Sequence, residues 1–134
     1  MPEAADVYLL SGRQAGPRLR GKRKDDKMMY ELRVYEILPG RMAAMRARLE
    51  KATVIFRKNG FDIAGVWTEI VEGEDPRLIY ITVFDDVADR ERKWGAFVED
   101  PDWLALEAES EQDGKIVAGV TYTHMDPASF SPLQ

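Results

Sequence analysis

The chain contains no cysteine and one histidine, His124, in 134 residues. The missing thiols exclude a disulfide framework, a zinc finger, a thiol nucleophile and a Cys-ligated cluster. A lone imidazole cannot supply the three or four ligands that a zinc site needs. No stretch approaches the roughly 20 apolar residues that cross a bilayer. The longest apolar run near the start, Val7 to Leu10, is shorter than the roughly 7–15 residues of a secretory core, and basic residues follow it. No Gly-rich phosphate loop, GxSxG elbow or HExxH pair occurs. Neither a membrane nor a metal partner is expected, and the cytoplasm is the default location.

What is present suits one globular domain: 45% hydrophobic and 32% charged residues over a length that can bury a real core. The net charge of −5 is uneven. Residues 1–28 carry +3 and residues 29–134 carry −8. An acidic body repels phosphate backbones, so nucleic acid is not an expected partner. Residues 1–28 lack periodicity, are broken by Gly12, Gly16, Pro17 and Gly21, and turn strongly basic after Arg18. Such a segment is expected to be a disordered basic extension. Translation starting at Met28 or Met29 is a further expectation; an intact mass that includes Met1 or Pro2 contradicts it.

From Met29 to Ile37, Tyr30, Leu32 and Val34 alternate with Glu31, Arg33 and Tyr35, the period of a strand. Pro39-Gly40 breaks it. Met42, Met45, Leu49, Ala52 and Phe56 then form a helical stripe, with Arg48 placed on the other side, ending at Asn59-Gly60. Ile63–Val71 and Arg77–Phe84 read as a hairpin around a solvated acidic turn that includes Glu72, Glu74 and Asp75. Asp86 is expected to cap a helix with Val87, Trp94, Phe97 and Val98 inward. Asp100-Pro101 restarts it, with Trp103, Leu104 and Leu106 apolar. Lys115–Met125 is the last strand. The order β-α-β-β-α-β is the ferredoxin-like arrangement, α+β, with two helices on one face of a four-stranded antiparallel sheet.

That sheet is apolar on both sides. Leu78, Tyr80, Thr82 and Phe84 back onto Ile79, Ile81 and Val83; Ala64, Val66 and Ile70 oppose Ile63, Gly65 and Trp67. A sheet with one wet face should alternate cleanly. Helices cover one side only, and a large open apolar patch is unusual on a monomer. A second copy in a two-fold homodimer is the simplest cover.

Met29–Tyr35 followed by Pro39-Gly40 resembles the opening of NIPSNAP-family proteins. Gly65-Val66-Trp67-Thr68, Asp85–Arg92, Glu99–Trp103 and Phe130-Ser131-Pro132-Leu133 resemble later family segments in the same order, from about residue 29 to the end. The resemblance implies a dimeric α/β barrel. It supplies no catalytic residues and no cofactor.

Candidate ligand-pocket residues are Arg33, Tyr35, Trp67, Tyr80, Trp94, Tyr122 and His124, as aromatic and polar groups able to line a cavity between sheet and helices. Each has an ordinary alternative. The rings also suit plain core packing, Arg33 suits an ion pair with Glu31, Glu36 or Glu69, and His124 suits a strand end, with an axial haem ligand the sharper choice. Arg90 is read as a helix partner or a cap to Asp86. No acid–base pair stands out, so two functions follow. The first is a homodimeric module, without catalysis, binding a small apolar ligand or a protein partner. The alternative is a cofactor-poor oxygenase or isomerase acting on a hydrophobic substrate in that cavity.

Overall fold

The alternating segment forms strand β1, Met29–Ile37, and the apolar stripe after it forms helix α1, Met42–Lys58. The computed structural model describes residues 28–73 and 75–134. The expected N-terminal extension therefore lies outside the described residues, apart from Met28, which is buried. The chain continues through β2 (Asp62–Thr68), β3 (Leu78–Phe84), α2 (Val87–Val98), α3 (Pro101–Ser110) and β4 (Val117–Met125). The sheet order is β2-β3-β1-β4, every neighbouring pair antiparallel, which is the ferredoxin-like topology.

Local chemistry sets the boundaries. The Asp86 carboxylate accepts the Asp89 N–H at 2.8 Å and Asp100 accepts the Asp102 N–H at 2.8 Å, so two caps divide the second crossover into α2 and α3. Pro101 occupies the first turn of α3, where a missing N–H costs nothing. Gly60, at φ 84°, takes the left-handed turn after α1. The helices bury Met45, Leu49, Ala52, Phe56, Phe97 and Trp103 against Phe61, Leu78 and Phe84 of the sheet layer. Phe97 sits at the centre of this packing, 4.1 Å from Phe56 and 5.1 Å from Trp103 between ring centroids.

Several side chains depart from the sequence pattern. Arg48 is buried, its Nη1 donating to Glu111 at 3.1 Å and to Ser110 Oγ at 3.3 Å. Leu104 is exposed because Trp103 and Leu106 already define the buried stripe of α3; Val87 is exposed as well. In β2 the pairing register shifts between Ile63 and Gly65. That bulge keeps Ile63 in the helix-side core and turns Gly65 and Trp67 to the opposite side, so these three do not share a face as strict alternation implied. Gly65 has a specific cause there. A Cβ at this position would lie 2.7 Å from the Trp67 ring, which covers it.

The sheet thus has two distinct faces. Toward the helices β1 presents Met29, Glu31, Arg33, Tyr35 and Ile37, all buried. Away from them lie Leu32, Val34, Ile79 and Ile81, partly buried, with Thr121 and Thr123 exposed beside them. At one end of this open face Met28, Tyr30 and Val83 form a small second apolar cluster. The Tyr30 hydroxyl there donates to the Gln134 carbonyl at 3.0 Å. Among the described residues no helix is long and apolar enough to cross a membrane.

Candidate functional site

Alternation in β1 puts two charged residues and a tyrosine in line beneath the helices, and the registers of β3 and β4 complete a grid around them. Glu31 lies between Thr82 and His124; Arg33 lies between Tyr80 and Tyr122. Arg90 and Trp94, four residues apart and so on one side of α2, sit above this grid.

Glu31, with no exposure, anchors the group. Its carboxylate accepts Arg33 Nε at 2.6 Å, Arg90 Nε at 2.6 Å and Arg90 Nη2 at 3.5 Å, while His124 Nε2 lies 3.1 Å from the same group. Arg33 is buried too. Its Nη1 donates to the Tyr35 hydroxyl at 2.9 Å, which is hydrogen-bonded to the Tyr80 hydroxyl at 2.9 Å. The Arg33 guanidinium lies over the rings of both Trp94 and Tyr122, 4.3 and 4.5 Å from their centroids. Such stacking offsets part of the cost of burying a cation. The Trp94 indole N–H, by contrast, is a buried donor without a hydrogen-bond partner among the described residues.

Charge is fixed in this cluster. Burial works against ionised Glu31, but hydrogen bonds and charge from Arg90 and Arg33 outweigh it and hold the carboxyl below its ordinary value. Burial likewise opposes the Arg33 cation, while Tyr35, Tyr80 and Glu31 raise it above the ordinary guanidinium range. Burial opposes the Arg90 cation as well, and Glu31 and then Glu91 outweigh it, so this group is also raised. None of these three groups is tuned toward neutrality. The three groups hold one another's charge in place.

Over the cluster opens a cavity of about 270 Å³. Arg33 and Tyr122 form its sheet side; Arg90, Glu91, Trp94, Gly95 and Val98 form its α2 side. The sequence candidates distribute as follows. Arg33, Trp94 and Tyr122 line the cavity, Tyr35 and Tyr80 lie buried beneath it, and His124 stands at its side, its ring nearly parallel to Tyr122. Trp67 does not join them; it is half exposed, projects from the other face of the sheet and lines a different groove at the β2 edge. A slightly larger groove of about 310 Å³ between α1 and the β2 edge has Arg46 and Glu50 among its lining but lacks a buried polar cluster. Among the described residues no cluster of His, Asp or Glu can hold a metal ion.

The NIPSNAP family model matches residues 30–132. The chain belongs to the NIPSNAP family. A NIPSNAP family protein of unknown function from Agrobacterium tumefaciens is similar at 24% identity, with a TM-score of 0.71, over 82% of this chain and 96% of that one. An uncharacterised NIPSNAP-like domain protein from Burkholderia xenovorans shares 18% identity, with a TM-score of 0.67, over 80% and 90% of the two chains. SnoaB, a cofactor-independent oxygenase from Streptomyces nogalater, shares 13% identity, with a TM-score of 0.51, over 80% and 98%. These likenesses are of fold. Among curated proteins, none matches the chain.

Glu31 and Arg90 of the charged cluster are not among the sequence candidates, nor are Glu91, Gly95 and Val98 of the cavity wall. From the sequence Glu31 is expected only as a partner for Arg33, a pairing the structure contains. Arg90, expected as a helix partner or a cap to Asp86, pairs with Glu91 on its own helix and also crosses to Glu31, 59 residues away in sequence. The available signal was the pairing of Glu31 and Arg33 at alternate strand positions opposite Leu32 and Val34.

Proposed function

We propose that this NIPSNAP domain is a homodimeric ligand-binding module, holding a small molecule with an apolar body between α2 and the sheet and meeting a second copy through the open face. The observation that carries this reading is the cavity over Glu31, Arg33 and Arg90, whose charges are held fixed by one another. A preorganised platform with aromatic walls suits recognition. It lacks a group tuned for proton transfer among its buried members, which argues against acid–base chemistry. The partner role rests on Leu32, Val34, Ile79 and Ile81, which no helix covers among the described residues.

Isothermal titration with 2-naphthol, a neutral aromatic probe, tests the pocket. Binding to the wild type is expected, with loss in Gly95→Leu, which fills the cavity, and retention in Trp67→Ala. Absence of binding, or loss in Trp67→Ala alone, contradicts the assignment.

One contact favours a second reading, a cofactor-poor oxygenase or isomerase. His124 Nε2 lies 3.1 Å from Glu31 Oε1, and a carboxylate so placed can orient an imidazole as a base. SnoaB, of similar fold, is a cofactor-independent oxygenase. Substrate turnover abolished in His124→Gln with binding intact would select this alternative.

A further inference from the structure

Within the proposed pocket, the occupancy of Arg90 and the shape of α2 bear on what kind of molecule fits. Arg33 and Arg90 bring two fixed cations to the cavity, and Glu31 beneath them supplies one fixed anion. The remaining balance comes from Glu91, whose carboxylate accepts Arg90 Nη1 at 2.8 Å. The two acids differ in kind. Glu31 has no exposure and three guanidinium contacts, so it is a permanent part of the platform beneath the cavity. Glu91 has a side chain 63% exposed, adjacent in sequence to Arg90, in an ion pair of a type that contributes little in water. It is the replaceable one.

Gly95 supplies an independent observation. It lies inside α2, where glycine is disfavoured relative to alanine. No left-handed backbone requires it, and a Cβ there would meet nothing within 4 Å among the described residues. Gly95 is exposed, and among the described residues neither packing nor conformation requires a glycine there. The space that it leaves belongs to the cavity, beside Trp94 and Val98.

Resting on the pocket reading above, we infer that the ligand is a small aryl carboxylate. Its carboxylate displaces Glu91 from Arg90, and its ring lies in the gap over Gly95 against Trp94 and Val98. A carboxylate matches the guanidinium fork geometrically, and its exchange with Glu91 leaves the charge balance of the site unchanged. His124 faces Glu31 from the other side and takes no part in this exchange.

Isothermal titration of the full chain with 2-naphthoate and with 2-naphthamide tests the charge requirement. The acid is expected to bind the wild type roughly tenfold more tightly than the amide. Glu91→Gln, which removes the competing carboxylate from an exposed position, is expected to tighten 2-naphthoate by about two- to fivefold and to change 2-naphthamide by less. Gly95→Leu, which favours the helix, is expected to fold normally by circular dichroism and to bind neither probe. Equal binding of acid and amide, or weaker binding of the acid by Glu91→Gln, overturns the carboxylate assignment while the pocket reading stands. Binding of both probes undiminished in Gly95→Leu overturns the pocket itself, as does failure of both to bind the wild type.

Discussion

The two faces of β1 invert the usual arrangement. The face under the helices carries Glu31 and Arg33, at 0% and 1% exposure, whereas the uncovered face carries Leu32 and Val34. An ordinary half-buried strand places apolar residues inward and charges outward. Placing charge inside is expensive unless every group is matched, and here the matching is specific: one carboxylate, two guanidiniums and two tyrosine hydroxyls. Placing apolar residues outside is costly in water unless another surface covers them. The contrast teaches that the two faces of the sheet are stabilised by different means. Under the proposed function, the inner face holds a ligand and the outer face holds a second copy.

The largest effect should come from breaking the inner face. Glu31→Leu leaves Arg33 and Arg90 without their shared counter-charge and is expected to cost about 3–5 kcal/mol, read from urea denaturation. Adding Arg33→Met to that variant should recover part of the loss, since an apolar pair avoids the buried cation. On the outer face, Ile81→Lys is expected to shift sedimentation from dimer to monomer, weakening association by a hundredfold or more at about 3 kcal/mol. Retained dimer in that variant would remove the outer face from the partner role.

Acid separates the faces further. The Glu31 carboxyl is held below its ordinary value of 4.5, so the folded state releases its proton more readily than the unfolded chain. Its contribution is fully present above that ordinary value and disappears as pH falls through the lower folded value. Wild-type stability should therefore drop below about pH 4.5, and Glu31→Gln should flatten that part of the profile. The smallest effect is Gly95→Ala, expected to raise thermal stability by about 0.5–1 kcal/mol while reducing room in the pocket.

Much of the scaffold was legible from local signals. Strict alternation located β1, the Asp86 and Asp100 caps located α2 and α3, and the resemblance to NIPSNAP proteins agreed with the family match. Strand ends and the β2 face were less legible, because a bulge at one residue reverses every side chain beyond it, as Trp67 demonstrates. The site was half visible. Glu31 with Arg33 follows from strand spacing, but Arg90 reaches its partner only through packing of α2 on the sheet, which no local pattern encodes. The same holds for Arg48, whose partner Glu111 lies 63 residues onward.

The indole N–H resonances give the most direct test of two faces with two tasks, because Trp94 lies on the inner side and Trp67 on the outer. In a titration with 2-naphthoate followed by proton–nitrogen NMR, the Trp94 signal is expected to shift with ligand concentration while that of Trp67 stays in place. A shift of Trp67 with Trp94 unmoved would contradict this division of tasks.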